Sequence, residues 1–457
     1  MSVPKIEEFL GMGAYVTKTS GVNGVIKQSV DDFMVEEVLV DGSRARIENA
    51  VKSPGLGVST KKQEYLLCIL VKRDWDTFVA IKNIAKQLNK SQDQIKIAGI
   101  KDAKAVTAQY ITIKYASIED VANVRIKDIE LRPVGYLRRE LSTFYLLGNC
   151  FRIKIKGITN LESTTRKKIA ETIQELELAG GLPNYFGHQR FGTTRPITHL
   201  IGKALLKGDF GEAGMIFLAE PSFYEHPSSR QARKKLQSTR NFMQALKNFP
   251  KQLRYERLML AHLVQKQDDF AGAFKQLPTK LQALFVQAYQ SYLFNRFLTA
   301  RLMKGTPLNK AELGDWVIWV ERSGLPMVNT AKLVSLDNSA EIGVLIKNGK
   351  MRVALPIVGC NPRLSRGGMG QIEKQILDEE EVSLDNFKMR DLPSMGARGG
   401  LRPITAPIKD FSLDDVSVGA CVVGLEASMN FVLLRGCYAT VLLREIMKPK
   451  NPIRSGF

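Results

Sequence analysis

Residues 64-EYLLCIL-70 form an apolar run of large side chains, and they lead into 75-WDTFVAIKNIAKQLN-89, whose apolar positions recur at helical spacing. The first stretch reads as a buried strand. In the second, Trp75, Phe78, Ile81, Ile84, Ala85 and Leu88 share one helical face. Further along, 110-YITIKY-115 alternates strictly, as does 151-FRIKIK-156, where Phe151, Ile153 and Ile155 point one way and Arg152, Lys154 and Lys156 the other. The cationic face could follow a phosphate track or simply face water. A helix at about 162 to 179 closes on the Gly180-Gly181 pair. Repeated strand–helix–strand units of this kind predict an α+β or α/β layer domain.

The middle of the chain has a different texture. Between 226 and 267 there are ten lysines and arginines, which reads as helical, basic and solvated. The run 281-LQALFVQAYQSYLFNRFL-298 is apolar almost all round and predicts a buried helix. Residues 313 to 360 return to strand signals, with turns at Ser323-Gly324 and Asn348-Gly349. The acidic 378-DEEEVSLD-385 and the Gly/Arg-rich 395-MGARGGLRP-403 read as a linker. The last fifty residues offer strands at 418-VGACVVGLE-426 and 431-FVLLRG-436, then a helix over 437 to 448. They resemble the first third more than the middle, as they would if an insertion split one domain into two sequence pieces.

At 457 residues the chain is too long for one ordinary core and suggests two large or three smaller domains. Its net charge of +20 points to a polyanionic partner, nucleic acid first. The five cysteines (Cys68, Cys150, Cys360, Cys421, Cys437) are scattered and odd in number, which is cytosolic usage, so a cytoplasmic protein is expected. Four histidines without ligand spacing make a zinc site unexpected. No apolar run approaches ~18 residues, and the start MSVPKIEEFL lacks a signal-peptide pattern, so neither membrane span nor leader is expected.

Four stretches could carry chemistry. In 99-GIKDAKAVTAQ-109, Asp102 sits in a turn between Lys101 and Lys104. Nearby cations favour the ionised carboxylate, the form a covalent nucleophile needs; an ordinary turn or N-cap aspartate would look the same. In 183-PNYFGHQRFG-192, Tyr185, Phe186 or Phe191 could stack on a base and Arg190 could meet a phosphate, or the aromatics could plug the core. His188 reads as a polar loop residue. In 25-VIKQSVDDFMVEEV-38, Lys27 could pair with a carboxylate or lie on a wet strand edge. On the last helix, Thr440, Arg444 and Lys448 form a stripe that reads as the solvated face. The glycines of 11-GMG-13 and 55-GLG-57 lack the context of a dinucleotide fingerprint.

Together, and in order, these segments resemble the TruD-type tRNA pseudouridine synthases. The first stretch, 26-IKQSVDDFMVEEV-38, is similar to the family's opening motif. Residues 99 to 109 resemble its Gly-x-Lys-Asp and Ala-x-Thr-x-Gln signature, and 184-NYFGHQRFG-192 its Asn-Tyr-Phe-Gly-x-Gln-Arg-Phe-Gly motif. Gln-Ser-Tyr-Leu-Phe-Asn at 290 to 295 and Tyr-Ala-Thr-x-x-Leu-Arg-Glu at 438 to 445 complete the set. The length and large middle segment look more like archaeal or eukaryotic members than compact bacterial ones.

The resemblance implies an α+β fold: a pseudouridine-synthase core with a mixed, mainly antiparallel sheet and flanking helices, holding a large inserted α+β TRUD domain. The core would comprise residues 1–205 and 406–457, and the insert 206–405. It further implies isomerisation of uridine in tRNA, at uridine 13, with no cofactor and no metal. Asp102 matches the nucleophile, Phe186 the aromatic that packs on the base, Asn184 the amide opening that motif, and Lys27 a basic residue beside the aspartate. Arg190 joins the substrate-binding set. The expected partner is tRNA, or another structured RNA, with no membrane and no obligate protein partner. A non-catalytic tRNA-binding chaperone on the same scaffold would need the basic surface but not Asp102. A methyltransferase would need a glycine-rich cofactor loop, which is missing.

Overall fold

The computed structural model describes residues 2–48, 55–419 and 424–457. In it the run at 64–70 becomes one of six strands supplied early in the chain: β1 (Phe33–Leu39), β2 (Tyr65–Arg73), β3 (Ile95–Ile97), β4 (Val106–Lys114), β5 (Ile129–Leu137) and β6 (Leu146–Ile158). After the short β7 (Leu182–Pro183) come β8 (Trp316–Val320), β9 (Pro326–Leu333), β10 (Met351–Ile357) and β11 (Gly400–Pro403), which form a separate antiparallel sheet in the order β11-β10-β8-β9. Then β12 (Thr405–Ala406) pairs with β7, while β13 (Ile408–Val418) and β14 (Leu425–Leu434) return to the first sheet. That sheet runs β13-β14-β6-β1-β4-β2-β5, with β3 on β4; its β1–β4 pairing is parallel and the others antiparallel. The fold is thus mixed α+β with a mainly antiparallel sheet, and both ends of the sequence contribute to one sheet.

The helices are α1 (Lys5–Phe9), α2 (Thr77–Gln87), α3 (Ile118–Ala122), α4 (Glu162–Leu178), α5 (Thr198–Leu206), α6 (Phe210–Ala219), α7 (Pro227–Thr239), α8 (Phe242–Asn248), α9 (Arg254–Gln265), α10 (Phe270–Lys275), α11 (Thr279–Met303), α12 (Ser339–Lys347), α13 (Gly367–Glu379) and α14 (Ala439–Met447). At the end of α4, Gly180 N–H reaches Glu177 O and Gly181 N–H reaches Leu176 O, the paired bonds of a Schellman motif, with both glycines at positive φ. The run 281–298 lies within α11, buried on most sides as its composition requires.

Several expectations are corrected. Asp76 caps α2 by accepting from Phe78 N–H and Val79 N–H, so Trp75 precedes the helix; Phe78 is 48% exposed, and the buried face is Ala80, Ile81, Ile84 and Ala85. Tyr110, Ile111, Thr112 and Ile113 are all buried, because β4 is central and covered on both faces. The segment 418–426 is not one strand: β13 ends at Val418 and β14 begins at Leu425, while Cys421 lies outside the described residues. The 313–360 stretch also contains α12. The acidic stretch is no linker, since Glu380 accepts from Lys203, Tyr289, Tyr292 and Arg296, and 400–403 is β11. The basic helices are not wholly solvated either: Arg233 is buried on Glu225 and Glu256. On α14, Thr440, Arg444 and Lys448 are buried rather than wet.

Helix α5 crosses α11 at Gly202, where any Cβ would overlap the Phe285 carbonyl oxygen. Backbone cannot yield as a side-chain end can. Gly202→Ala should therefore cost about 1–3 kcal/mol of stability by overpacking, read from chemical denaturation against wild type.

Candidate active site

Asp102 stands on the loop between β3 and β4, and the sheet holds that loop through buried polar contacts. Lys101 Nζ reaches Glu37 Oε1 on β1 at 2.6 Å, both side chains being buried. Glu37 Oε2 accepts the Tyr110 backbone N–H at 2.9 Å, and Gln109 Nε2 donates to Gly99 O at 3.0 Å. Each buried charge is tolerable because it has a partner. From β2, the fully buried Lys72 donates to Trp75 O at 2.7 Å and to Asp102 O at 2.6 Å. Burial pushes its ammonium down to about 8, against the opposing pull of Asp102 and Asp76.

The cation on the Asp102 carboxylate is Lys27, whose Nζ lies 3.1 Å from Oδ1. The sequence neighbours do not take that part: Lys101 is spent on Glu37, and Lys104 is exposed. Lys27 has φ +57°, a left-handed conformation costing about 1–2 kcal/mol for an L-residue. Its neighbours hold it there: Val25 bridges to Lys156, and Ile26 N–H donates to Ser455 O at 2.9 Å. The ammonium also sits 4.2 Å from the centre of the Phe33 ring.

The Asp102 side chain is 33% exposed and opens into a cavity of about 390 Å³. Phe33, Ile100, Leu146, Asn149 and Phe151 line one part; Gln189 and the turn Arg435–Thr440 line another. The space is ligand-sized, with three aromatic rings (Phe33, Phe151, Tyr438) among its walls and a few polar groups converging on it.

The loop carrying Asn184, Phe186 and Arg190 lies behind that turn and does not itself line the cavity, apart from Gln189. Asn184 is buried, its Nδ2 donating to Pro403 O at 2.9 Å and its Oδ1 accepting from Arg402 Nη2 at 2.7 Å. Phe186 is half-buried; its ring meets Phe294 and Tyr438 edge-on, at 5.5 and 6.2 Å between centres, with the Arg402 guanidinium 4.1 Å over it. Asn295 on α11 clamps the Phe186 backbone at both N–H and C=O. Arg190 Nε donates to Ser291 Oγ at 3.0 Å. Tyr185 and Phe191 are core residues, and His188, a polar residue of this loop, is buried against Phe457. The structure therefore joins Lys27 to Asp102 directly, and links Phe186 to their cavity through Tyr438 and through Arg402, which bonds Gly436 O.

Three residues escaped the sequence reading. Lys72 had a visible signal, a lysine inside an apolar strand run. Arg402 lies in the stretch read as a linker, and Tyr438 opens the 438–445 motif without a role read for it. Among the described residues no group of three or more His, Cys, Asp or Glu side chains is gathered for a metal ion, and no helix is long and apolar enough to cross a membrane.

The profile of tRNA pseudouridine synthase D (TruD) matches residues 9–446. A protein of Methanosarcina barkeri named probable tRNA pseudouridine synthase D is 36% identical over 451 residues, 98% of each chain. One of Thermococcus onnurineus with the same name is 38% identical over 442 residues, 96% of this chain and 99% of its own. A crystal structure from Methanosarcina mazei carrying that family name superposes with TM-score 0.81 at 34% identity, covering 99% of this chain and 100% of the other. The chain belongs to the tRNA pseudouridine synthase D family.

The Lys72 contacts generate a pH prediction. Its folded value of about 8 lies below that of an exposed lysine, so between the two the unfolded chain binds the extra proton and stability rises with pH. Unfolding measured at steps from pH about 7 to about 10 should show this rise in wild type and its loss in Lys72→Met. Amide exchange around 101–104 should quicken in the variant, which lacks the bond to Asp102 O.

Proposed function

We propose that this protein isomerises uridine to pseudouridine in tRNA, at uridine 13, with Asp102 as nucleophile and Lys27 as its charge partner. The observation that carries the reading is the Asp102–Lys27 pair at 3.1 Å, opening into a cavity that Phe33, Phe151 and Tyr438 help to line. The carboxylate adds to the sugar carbon C1′, or to the base, and the bond from C1′ to N1 breaks. The uracil turns, C5 bonds to C1′, the carboxylate departs, and the proton lost from C5 is balanced by one gained at N1. Nothing is oxidised, reduced or consumed, so the chemistry calls for no redox agent or cofactor.

The uridine leaves its stack at a cost of a few kcal/mol, and ring contacts in the cavity return about 1–3 kcal/mol. Phe186 is the ring assigned to that contact, with Asn184 positioning it through Arg402 and Arg190 facing the RNA backbone. Because Tyr438 lines the cavity and touches Phe186, a second reading gives the direct contact to Tyr438, backed by Phe186. Residues 206–405 serve in this reading as a domain inserted between the two catalytic pieces, 1–205 and 406–457.

Asp102→Asn should abolish pseudouridine formation, mapped on tRNA transcripts without added cofactor, while tRNA affinity stays within about tenfold. Substantial turnover by the variant would remove the nucleophile assignment. Phe186→Leu should lower the single-turnover rate by up to the equivalent of about 1–3 kcal/mol, with Phe186→Tyr much milder. Unchanged rates with a falling Tm would make Phe186 a core residue, and the same pair of measurements on Tyr438→Leu then tests the second reading.

A further inference from the structure

Arginines buried elsewhere in this protein meet carboxylates: Arg233 with Glu225 and Glu256, Arg301 with Asp315, Arg444 with Glu7 and Glu445. Three half-buried arginines beside the cavity wall do not. Arg190, Arg352 and Arg402 bond only neutral groups: Ser291 and Gln287, Gly324 O, and Asn184 with Gly436 O, respectively. Among the described residues none of the three has an ion-pair partner. Burial without a counter-charge holds all three guanidiniums below the usual arginine value.

Contacts place them in order: the Arg190 and Arg402 guanidiniums lie 5.7 and 4.1 Å from the centre of the same Phe186 ring, Arg402 on β11 bonds Gly436 O, and Arg352 stands on the paired strand β10. Beyond Arg352, Lys409 Nζ donates to Ser323 O at 2.7 Å, one residue from the Gly324 carbonyl that Arg352 reaches, and it too lacks an ion pair. Arg402 thus reaches Gly436, where the segment lining the cavity begins, and none of the four cations is among the residues that line it. The guanidiniums also keep donors in reserve: among the described residues Arg402 Nη1 and Arg190 Nη1 have no acceptor.

We propose that Arg190, Arg402, Arg352 and Lys409 form a row that binds successive phosphodiesters of the RNA strand, carrying its backbone past the turn so that one base swings over it into the cavity. The identity of the strand rests on the function proposed above; the row itself rests on the unpaired charges. Guanidinium forks match phosphate oxygens bidentately, and a desolvated cation lacking a carboxylate is the group that gains most from such a ligand.

The test uses the full chain carrying Asp102→Asn, so that bound tRNA is not turned over, with affinity for a tRNA transcript measured across a salt series. Adding Arg352→Gln should weaken binding several-fold at low salt and reduce the slope of log affinity against log salt by about one, whereas Arg352→Lys should keep most of the slope. Lys409→Gln should behave like Arg352→Gln, giving an independent reading if one variant folds poorly. In the otherwise wild-type enzyme Arg352→Gln should raise KM and leave kcat within about twofold. Slopes and affinities unchanged in both Gln variants would overturn the row, and would be the result if these cations instead met carboxylates of a protein partner. Absence of pseudouridine with wild type would sink the proposed reaction, yet leave the salt slopes to decide the row separately.

Discussion

The guanidinium of Arg444 has no exposure to solvent, and the packing around the cavity hangs on it. It donates to Glu7 at 2.8 Å and to the carbonyls of Met12 and Ala14 at 2.9 Å each, beside Glu445. Burial works against its charge, and Glu7 and Glu445 more than offset that, so the net shift is upward. Glu445 in turn accepts from the Val16 and Thr17 backbone N–H groups and the Thr17 hydroxyl. The N-terminal segment is thereby laced to α14, and α14 begins at the turn that walls the cavity. Such a network adds little stability over a well-packed apolar one, but removing one partner costs about 3–5 kcal/mol because a bare charge is left inside. What it provides is a single allowed arrangement of the two chain ends.

From that clamp the positioning spreads outward. Thr440, one turn before Arg444, donates to Gln189 Oε1 at 3.0 Å and fixes the motif loop to α14. Asn295 joins the same loop to Leu10 O, and Arg402 joins it to the turn at Gly436. The second sheet enters the site through Arg402 on β11 and Arg352 on β10. A cavity wall built from one turn is therefore held from three directions, by the N-terminal segment, α11 and the second sheet.

Periodicity made the scaffold legible. Apolar alternation in β6, the all-round apolar α11 and the glycine pair after α4 reappear as read, because each is a local consequence of side-chain direction or backbone freedom. The polar interior was not legible, because a period reports which residues share a face and not whether that face is wet. The Thr440–Arg444–Lys448 stripe looks solvated until Glu7, 437 residues away, is seen against it. The same blindness misassigned the cations at Asp102: Lys101 and Lys104 are its neighbours in sequence, yet Lys27, 75 residues earlier, holds it. Lys27 was reached through the family resemblance, which carries information about distant pairing that composition and spacing lack.

The charges of this protein fall into two populations with different physical roles. Arg233, Arg301 and Arg444 are buried on carboxylates; Arg190, Arg352, Arg402 and Lys409 bond only neutral groups and, among the described residues, have no counter-charge. The Asp102 loop shows why the separation matters for the proposed chemistry. A carboxylate gripped at both oxygens by cations is well ionised but a poor nucleophile, since its electron density is already engaged. Here Lys27 bonds Oδ1 and Lys72 secures the residue through its carbonyl, and among the described residues Oδ2 has no hydrogen-bond partner. The arginines proposed to hold the RNA form no ion pair with Asp102, so the positive charge proposed to gather substrate need not quench the carboxylate proposed to attack it.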